Sequence, residues 1–157
     1  MTEQNAVINF LKSHLKGAAE VIERDSAAAF LRLPIWTEPK HGHNPMVLDV
    51  SSIGSGVRLE FETTANTIEI TCGFERAIFP GMPRTSVKLV YEVDGTEHVA
   101  ESMNVRYLNF PMFKSEEEFT FGDVKLNLGE SASPKQLKIW FPHNATTLIK
   151  GIKFDGE

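Results

Sequence analysis

Apolar and polar positions along this chain change period near residue 46. Before it, Val7, Ile8, Leu11 and Leu15 fall at helical spacing over residues 5–16, with Thr2 or Asn5 able to cap, which predicts a short amphipathic helix that needs a tertiary partner. After Gly17 and the small-residue stretch Asp25–Ala29, the segment FLRLPIWTEPKHGHNP carries Pro34, Pro39 and Pro45, which exclude continuous helix or central strand and predict a long loop. From Met46 onward the period is two. Val57, Leu59 and Phe61 oppose Arg58, Glu60 and Glu62, and Ile68, Ile70 and Cys72 repeat the pattern, so Thr64-Ala65-Asn66 is expected to close a hairpin. A second hairpin is expected where SVKLVYEV meets Asp94-Gly95, a pair suited to the turn whose twist matches paired strands. Residues 103–109, 118–121, 123–128, 136–141 and 146–154 complete about nine short strands, mostly antiparallel, which argue for two packed sheets.

In QLKIWFP, Leu137, Ile139 and Phe141 form the inward set, which leaves Trp140 on the opposite face beside Lys138. Such a ring serves as a platform for a sugar, as a contact for another domain, or as a surface covered by the helix or a loop. Trp36 in the proline-rich loop is equally an anchor or a contact residue. The loop 77–86 places Phe79 and Met82 in an apolar insertion that caps the core or binds something. Pro142-His143-Asn144 reads first as a turn, with His143 and Asn144 as candidates for a contact on a neighbouring domain.

Four stretches, HLKGAAEVIE (14–23), FLRLP (30–34), SGVRLEFETTANTIEI (55–70) and KIWFPHNATTLIKGI (138–152), resemble in the same order the N-terminal β-sandwich region of a bacterial, largely actinobacterial, group of SGNH (GDSL-like) hydrolases. With the strand pattern, the resemblance implies a mostly β fold: an antiparallel, jelly-roll-like sandwich of carbohydrate-binding-module type with a short N-terminal α-helix. It divides into a lead-in over 1–24 and the sandwich over 25–157. In that group a flavodoxin-like esterase or acyltransferase domain follows, so Glu157 would fall at the junction. The implied partner is that C-terminal hydrolase domain, and the implied ligand the saccharide or acyl part of its substrate. The expected function is a non-catalytic accessory one, with Trp36, Phe79, Met82, Trp140, His143 and Asn144 as ligand or interdomain contacts. The competing readings are a free-standing carbohydrate-binding module, which requires an exposed row such as Trp36, Trp140 and Tyr107, and a complete small esterase.

The reaction centre of the family is not visible in these residues. Ser51-Ser52-Ile53-Gly54 is the nearest approach to its nucleophile block, but a strand rather than a helix follows it. Asp94 and His98 are one position too far apart for its Asp-x-x-His pair, so no catalytic residue is expected. His41-Gly42-His43 has two of the three or four ligands that zinc needs, and Glu116-Glu117-Glu118 reads as a solvated charge run. No cofactor is expected. A structural calcium ion remains compatible with a sandwich of this type, with Asp49, Asp94 and Asp123 as available carboxylates and no loop spacing to mark a site.

Composition narrows the partners. A net charge of −5 opposes nucleic acid and anionic lipid, and no apolar run approaches the roughly 20 residues of a membrane span. A single cysteine, Cys72, and a start without signal-peptide character point to a reducing, cytoplasmic setting.

Overall fold

The computed structural model describes residues 3–37, 50–112 and 114–155. His41-Gly42-His43 and Asp49 lie outside the described residues. The chain opens with α1 (Glu3–His14), two residues ahead of the predicted helix at each end. Its Val7 and Leu11 enter the main core, while Ile8 and Phe10 pack against the side of that core. Among the described residues eleven strands follow: β1 (Leu15–Lys16), β2 (Glu20–Arg24), β3 (Ala27–Leu31), β4 (Arg58–Thr63), β5 (Thr67–Ile78), β6 (Val87–Val93), β7 (Thr96–Ser102), β8 (Val105–Asn109), β9 (Gly122–Asn127), β10 (Lys135–Trp140) and β11 (Thr146–Phe154).

These strands form two sheets and a mostly β fold that opens on a short N-terminal helix, as the alternation implies. One sheet runs β1-β4-β10-β6-β7, and the other β2-β3-β11-β5-β8 with β9 also on β5. Leu59, Leu89, Leu137 and Ile139 from the first meet Phe30, Ile68, Ile70, Phe74 and Ile149 from the second in one core. Pairing is antiparallel except between β5 and β8, which run parallel. The length of β5 makes this possible: one edge pairs with β11, while the other is shared by β9 along Thr67–Cys72 and β8 along Phe74–Ile78.

The Asp94-Gly95 hairpin forms as expected, with φ of 48° and 86° at its two turn residues. Three other elements depart from the sequence reading. First, β4 and β5 are not a hairpin, because β4 lies in the first sheet and β5 in the second. Both carry large inward side chains, which oppose each other across the core only if Thr64–Asn66 arches between layers. That arch has partners of its own: Asn66 N–H donates to Asp155 Oδ1 at 2.7 Å, and the buried Lys135 Nζ donates to Ala65 O at 2.9 Å.

Second, residues 20–31 form a hairpin that the sequence reading passed over. Asp25 and Ser26, at φ 52° and 58°, supply the left-handed pair of a tight turn. This hairpin spans residue 24, where the sequence reading separated lead-in from sandwich. Third, residues 118–121 are not a strand. Phe119 and Phe121 instead lie on the outer face of the second sheet, against Ala27, Ala29 and Leu148. The small residues make the room: a Cβ on Gly73 would stand 2.6 Å from the Phe119 ring.

Candidate functional site

Register fixes which loops share an end of the sandwich. Trp140, the last residue of β10, pairs with the first residue of β4, and the first residue of β11 pairs with Glu75 late in β5. Val87 at the start of β6 faces Ser102 at the end of β7, and Asn109 at the end of β8 faces Ile78 at the end of β5. The segments 32–37, 50–57, 79–86, 103–104, 110–112 and 141–145 therefore gather at one end. All six candidate residues, Trp36, Phe79, Met82, Trp140, His143 and Asn144, belong to this end, although they come from three separate stretches.

The end is apolar. Trp36 is 63% exposed in a single 3₁₀ turn (Ile35–Thr37), and Met82 is 53% exposed. Phe79 is half-exposed and stacks at an angle on Phe110, with centroids 4.5 Å apart. Leu33, Ile35, Val50, Met103 and Met112 are exposed there as well. Among the described residues only one other large apolar side chain is exposed to this degree, Val99 on β7. Val99 pairs with Val90, which pairs with Trp140, so it continues the patch onto the outer face of the first sheet. Trp140 itself is half-buried and faces outward, as its alternation implies. Helix α1 packs on β2, β3, β4 and β11.

Arg76 joins the two loops that the sequence singled out. From β5 its Nη1 donates to Thr85 Oγ1 at 2.9 Å, while Nη2 donates to Asn144 Oδ1 at 3.1 Å and Ser86 O at 3.3 Å. Asn144 thus acts as an acceptor that anchors the corner, and His143 beside it is exposed in the turn. Nearby, Arg84 pairs with Glu117 and lies over the Tyr107 ring, 4.9 Å from its centroid. The hydrogen bond from Arg84 holds the Glu117 carboxyl below the usual glutamate range. Tyr107 is buried, with its hydroxyl donating to Thr85 O at 2.6 Å, so it is not part of an exposed aromatic row. Arg76, Met103, Met112 and Phe110 were missed in the sequence. An arginine in a strand and single methionines in short links carry no periodic signal.

Ser52 has a structural position. It is buried, its hydroxyl is 2.9 Å from Thr146 Oγ1, and the next residue, Ile53, bridges to Thr146. Gly54 follows against the corner, where a Cβ would meet Pro142 O at 2.6 Å. His98 stacks on Tyr91 with centroids 5.1 Å apart, away from Ser52 on the far edge of the first sheet. Of the calcium candidates, Asp94 accepts from Gln136 N–H at 2.8 Å and Asp123 from Thr71 Oγ1 at 2.6 Å. Among the described residues no group of three or more His, Cys, Asp or Glu could hold a metal ion, and no helix is long and apolar enough to cross a membrane.

No protein-family model matches the chain, and no curated protein sequence matches it. Solved structures do. A salicylyl-acyltransferase, SsfX3, from a tetracycline biosynthetic pathway superposes with a TM-score of 0.69 at 18% identity, over 89% of this chain and 36% of its own. A protein from Bacteroides ovatus described as a GDSL-like lipase gives a TM-score of 0.51 at 14% identity, over 91% of this chain and 38% of its own. The chain thus spans little more than a third of the length of these structures. At these identities the likeness is one of fold: the sandwich matches one part of each of the two structures.

Proposed function

We propose that this chain is the non-catalytic accessory sandwich of an SGNH/GDSL-type hydrolase or acyltransferase, and that its apolar end is the surface on which the catalytic domain docks. One observation carries this reading: eight of the nine strongly exposed large apolar side chains among the described residues lie at one end of the sandwich. Exposed contiguous apolar surface marks an interaction site, and the partial overlap with hydrolase structures supports a catalytic domain as the occupant. In this role Trp36, Phe79, Met82, Trp140 and His143 contact the neighbour or the acyl or glycosyl portion of its substrate, and Asn144 holds the corner in place. Contacts away from the reacting centre raise efficiency by fixing orientation. The reading includes a jelly-roll-like strand order and a cytoplasmic setting, the latter consistent with the buried, unpaired Cys72.

The test is a hydrogen-exchange comparison of this chain alone and in the presence of a separately produced SGNH-type catalytic domain. Amides of residues 79–86, 103–112 and 141–145 are expected to gain protection, and Met82→Lys with Phe79→Asp to abolish that gain. Protection confined to the opposite end, or p-nitrophenyl acetate turnover by the isolated chain that disappears in folded Ser52→Ala, would overturn the proposal.

A further inference from the structure

Sulfur is distributed unevenly in this fold. Among the described residues methionine occurs only as Met82, Met103 and Met112, and none of these enters the core, which is filled chiefly by Leu, Ile, Val and Phe. All three stand at the apolar end. Met103 and Met112, at 71% and 66%, are more exposed than any other large apolar side chain among the described residues, Trp36 included. Inside the sandwich the sulfur is that of Cys72, which is fully buried.

The backbone fixes where these side chains stand. Because β5 and β8 run parallel and end together at Ile78 and Asn109, the loops that follow leave side by side, one carrying Met82 and the other Met112. Phe110 N–H donates to Ile78 O at 3.0 Å, and the contact between the Phe79 and Phe110 rings joins the two loops. Met103 lies in the crossing from β7 to β8. Its carbonyl accepts from Val105 N–H at 2.8 Å, and the next one, Asn104 O, accepts from Phe74 N–H at 3.0 Å. The thioethers therefore sit on tied backbone yet open to water.

A thioether is flexible and polarisable, which suits a surface that another protein covers. It is also an apolar group that a mild oxidant makes polar. A peroxide gives one oxygen atom to the sulfur: the S–O bond forms as the O–O bond breaks, the thioether loses two electrons to become a sulfoxide, and hydrogen peroxide leaves as water. The new oxygen accepts hydrogen bonds from water and loses them when it is pressed against an apolar partner.

We propose, resting on the docking reading above, that Met82, Met103 and Met112 are modification sites that make docking sensitive to peroxide. Their sulfoxides form on the undocked chain and weaken its hold on the catalytic domain. Oxidation and docking exclude each other, because a covered sulfur is out of reach of the oxidant. The fold survives the change, since the core sulfur is shielded.

The test treats the full chain with hydrogen peroxide at neutral pH and locates sulfoxides by mass spectrometry of its peptides. A separately produced SGNH-type catalytic domain is then titrated into treated and untreated chains, with docking read from amide protection of residues 79–86, 103–112 and 141–145. Sulfoxides at the three positions are expected to weaken docking about tenfold or more with circular dichroism unchanged, and methionine sulfoxide reductases A and B to restore it. A saturating amount of the domain is expected to slow sulfoxide formation there about fivefold or more. In a variant combining Met82→Leu, Met103→Leu and Met112→Leu, whatever docking remains should be the same before and after peroxide; the reductase arm decides should that variant fail to fold or dock. Equal docking by oxidised and untreated chains, or a loss that the reductases do not restore, overturns this proposal and leaves the docking surface standing. No docking by the untreated chain overturns both.

Discussion

Gly73 is the residue on which the outer layer of the second sheet depends. A methyl group there would sit 2.5 Å from Thr120 O and 2.6 Å from the Phe119 ring, and the first of these atoms is backbone and cannot swing aside. Gly73→Ala is therefore expected to cost about 2 kcal/mol, read as a lower urea midpoint with an unchanged slope. One position earlier, Cys72 points the other way, into the core. Burial pushes its thiol up from 9.0 to about 12. A thiol that stays neutral in the fold but ionises in the unfolded chain contributes stability that is whole below pH 9.0 and is lost as pH rises toward 12. A thiol reagent at pH 8 should label Cys72 only in denaturant, and rapid labelling of the native chain would contradict its burial.

At the scale of elements, the β2–β3 turn carries a conformational cost that sequence alone did not signal. Asp25-Ser26 adopts the left-handed pair usually given to Asn-Gly or Asp-Gly, and Ser is a poor occupant of φ 58°. Ser26→Gly is expected to raise stability by about 0.5–1 kcal/mol, measured by thermal or urea unfolding. The same turn explains why this hairpin was overlooked. AAAFL lacks β-branched residues and buries four of its five positions, so it shows neither strand propensity nor alternation. By contrast, Val87–Val93 alternates cleanly and ends in Asp94-Gly95, so that hairpin was legible residue by residue. The link at Thr64–Asn66 was misread for another reason. A short polar connection between two alternating strands has the same appearance whether the strands pair or face each other, and only the partners Asp155 and Lys135, distant in sequence, distinguish the two. In the site, Trp36, Phe79, Met82 and Trp140 were legible as apolar side chains in places where water would otherwise meet them. Their convergence was not, because it follows from register between strands far apart in the chain.

For the molecule as a whole, the apolar end combines segments from both sheets, and Arg76 is the member that ties them. Replacing it with methionine keeps much of the aliphatic stem but removes the donors to Thr85, Ser86 and Asn144. Arg76→Met should speed amide exchange in residues 79–86 and 143–145 by about tenfold, while the main core keeps its protection. Loss of protection throughout the core would instead mean that this arginine supports global folding. Held by one guanidinium, the 79–86 loop and the late corner form a preset mould rather than two independent tentacles. A partner arriving there meets a surface already shaped, so its association should carry little ordering entropy, and a change made in either loop should be felt by the other.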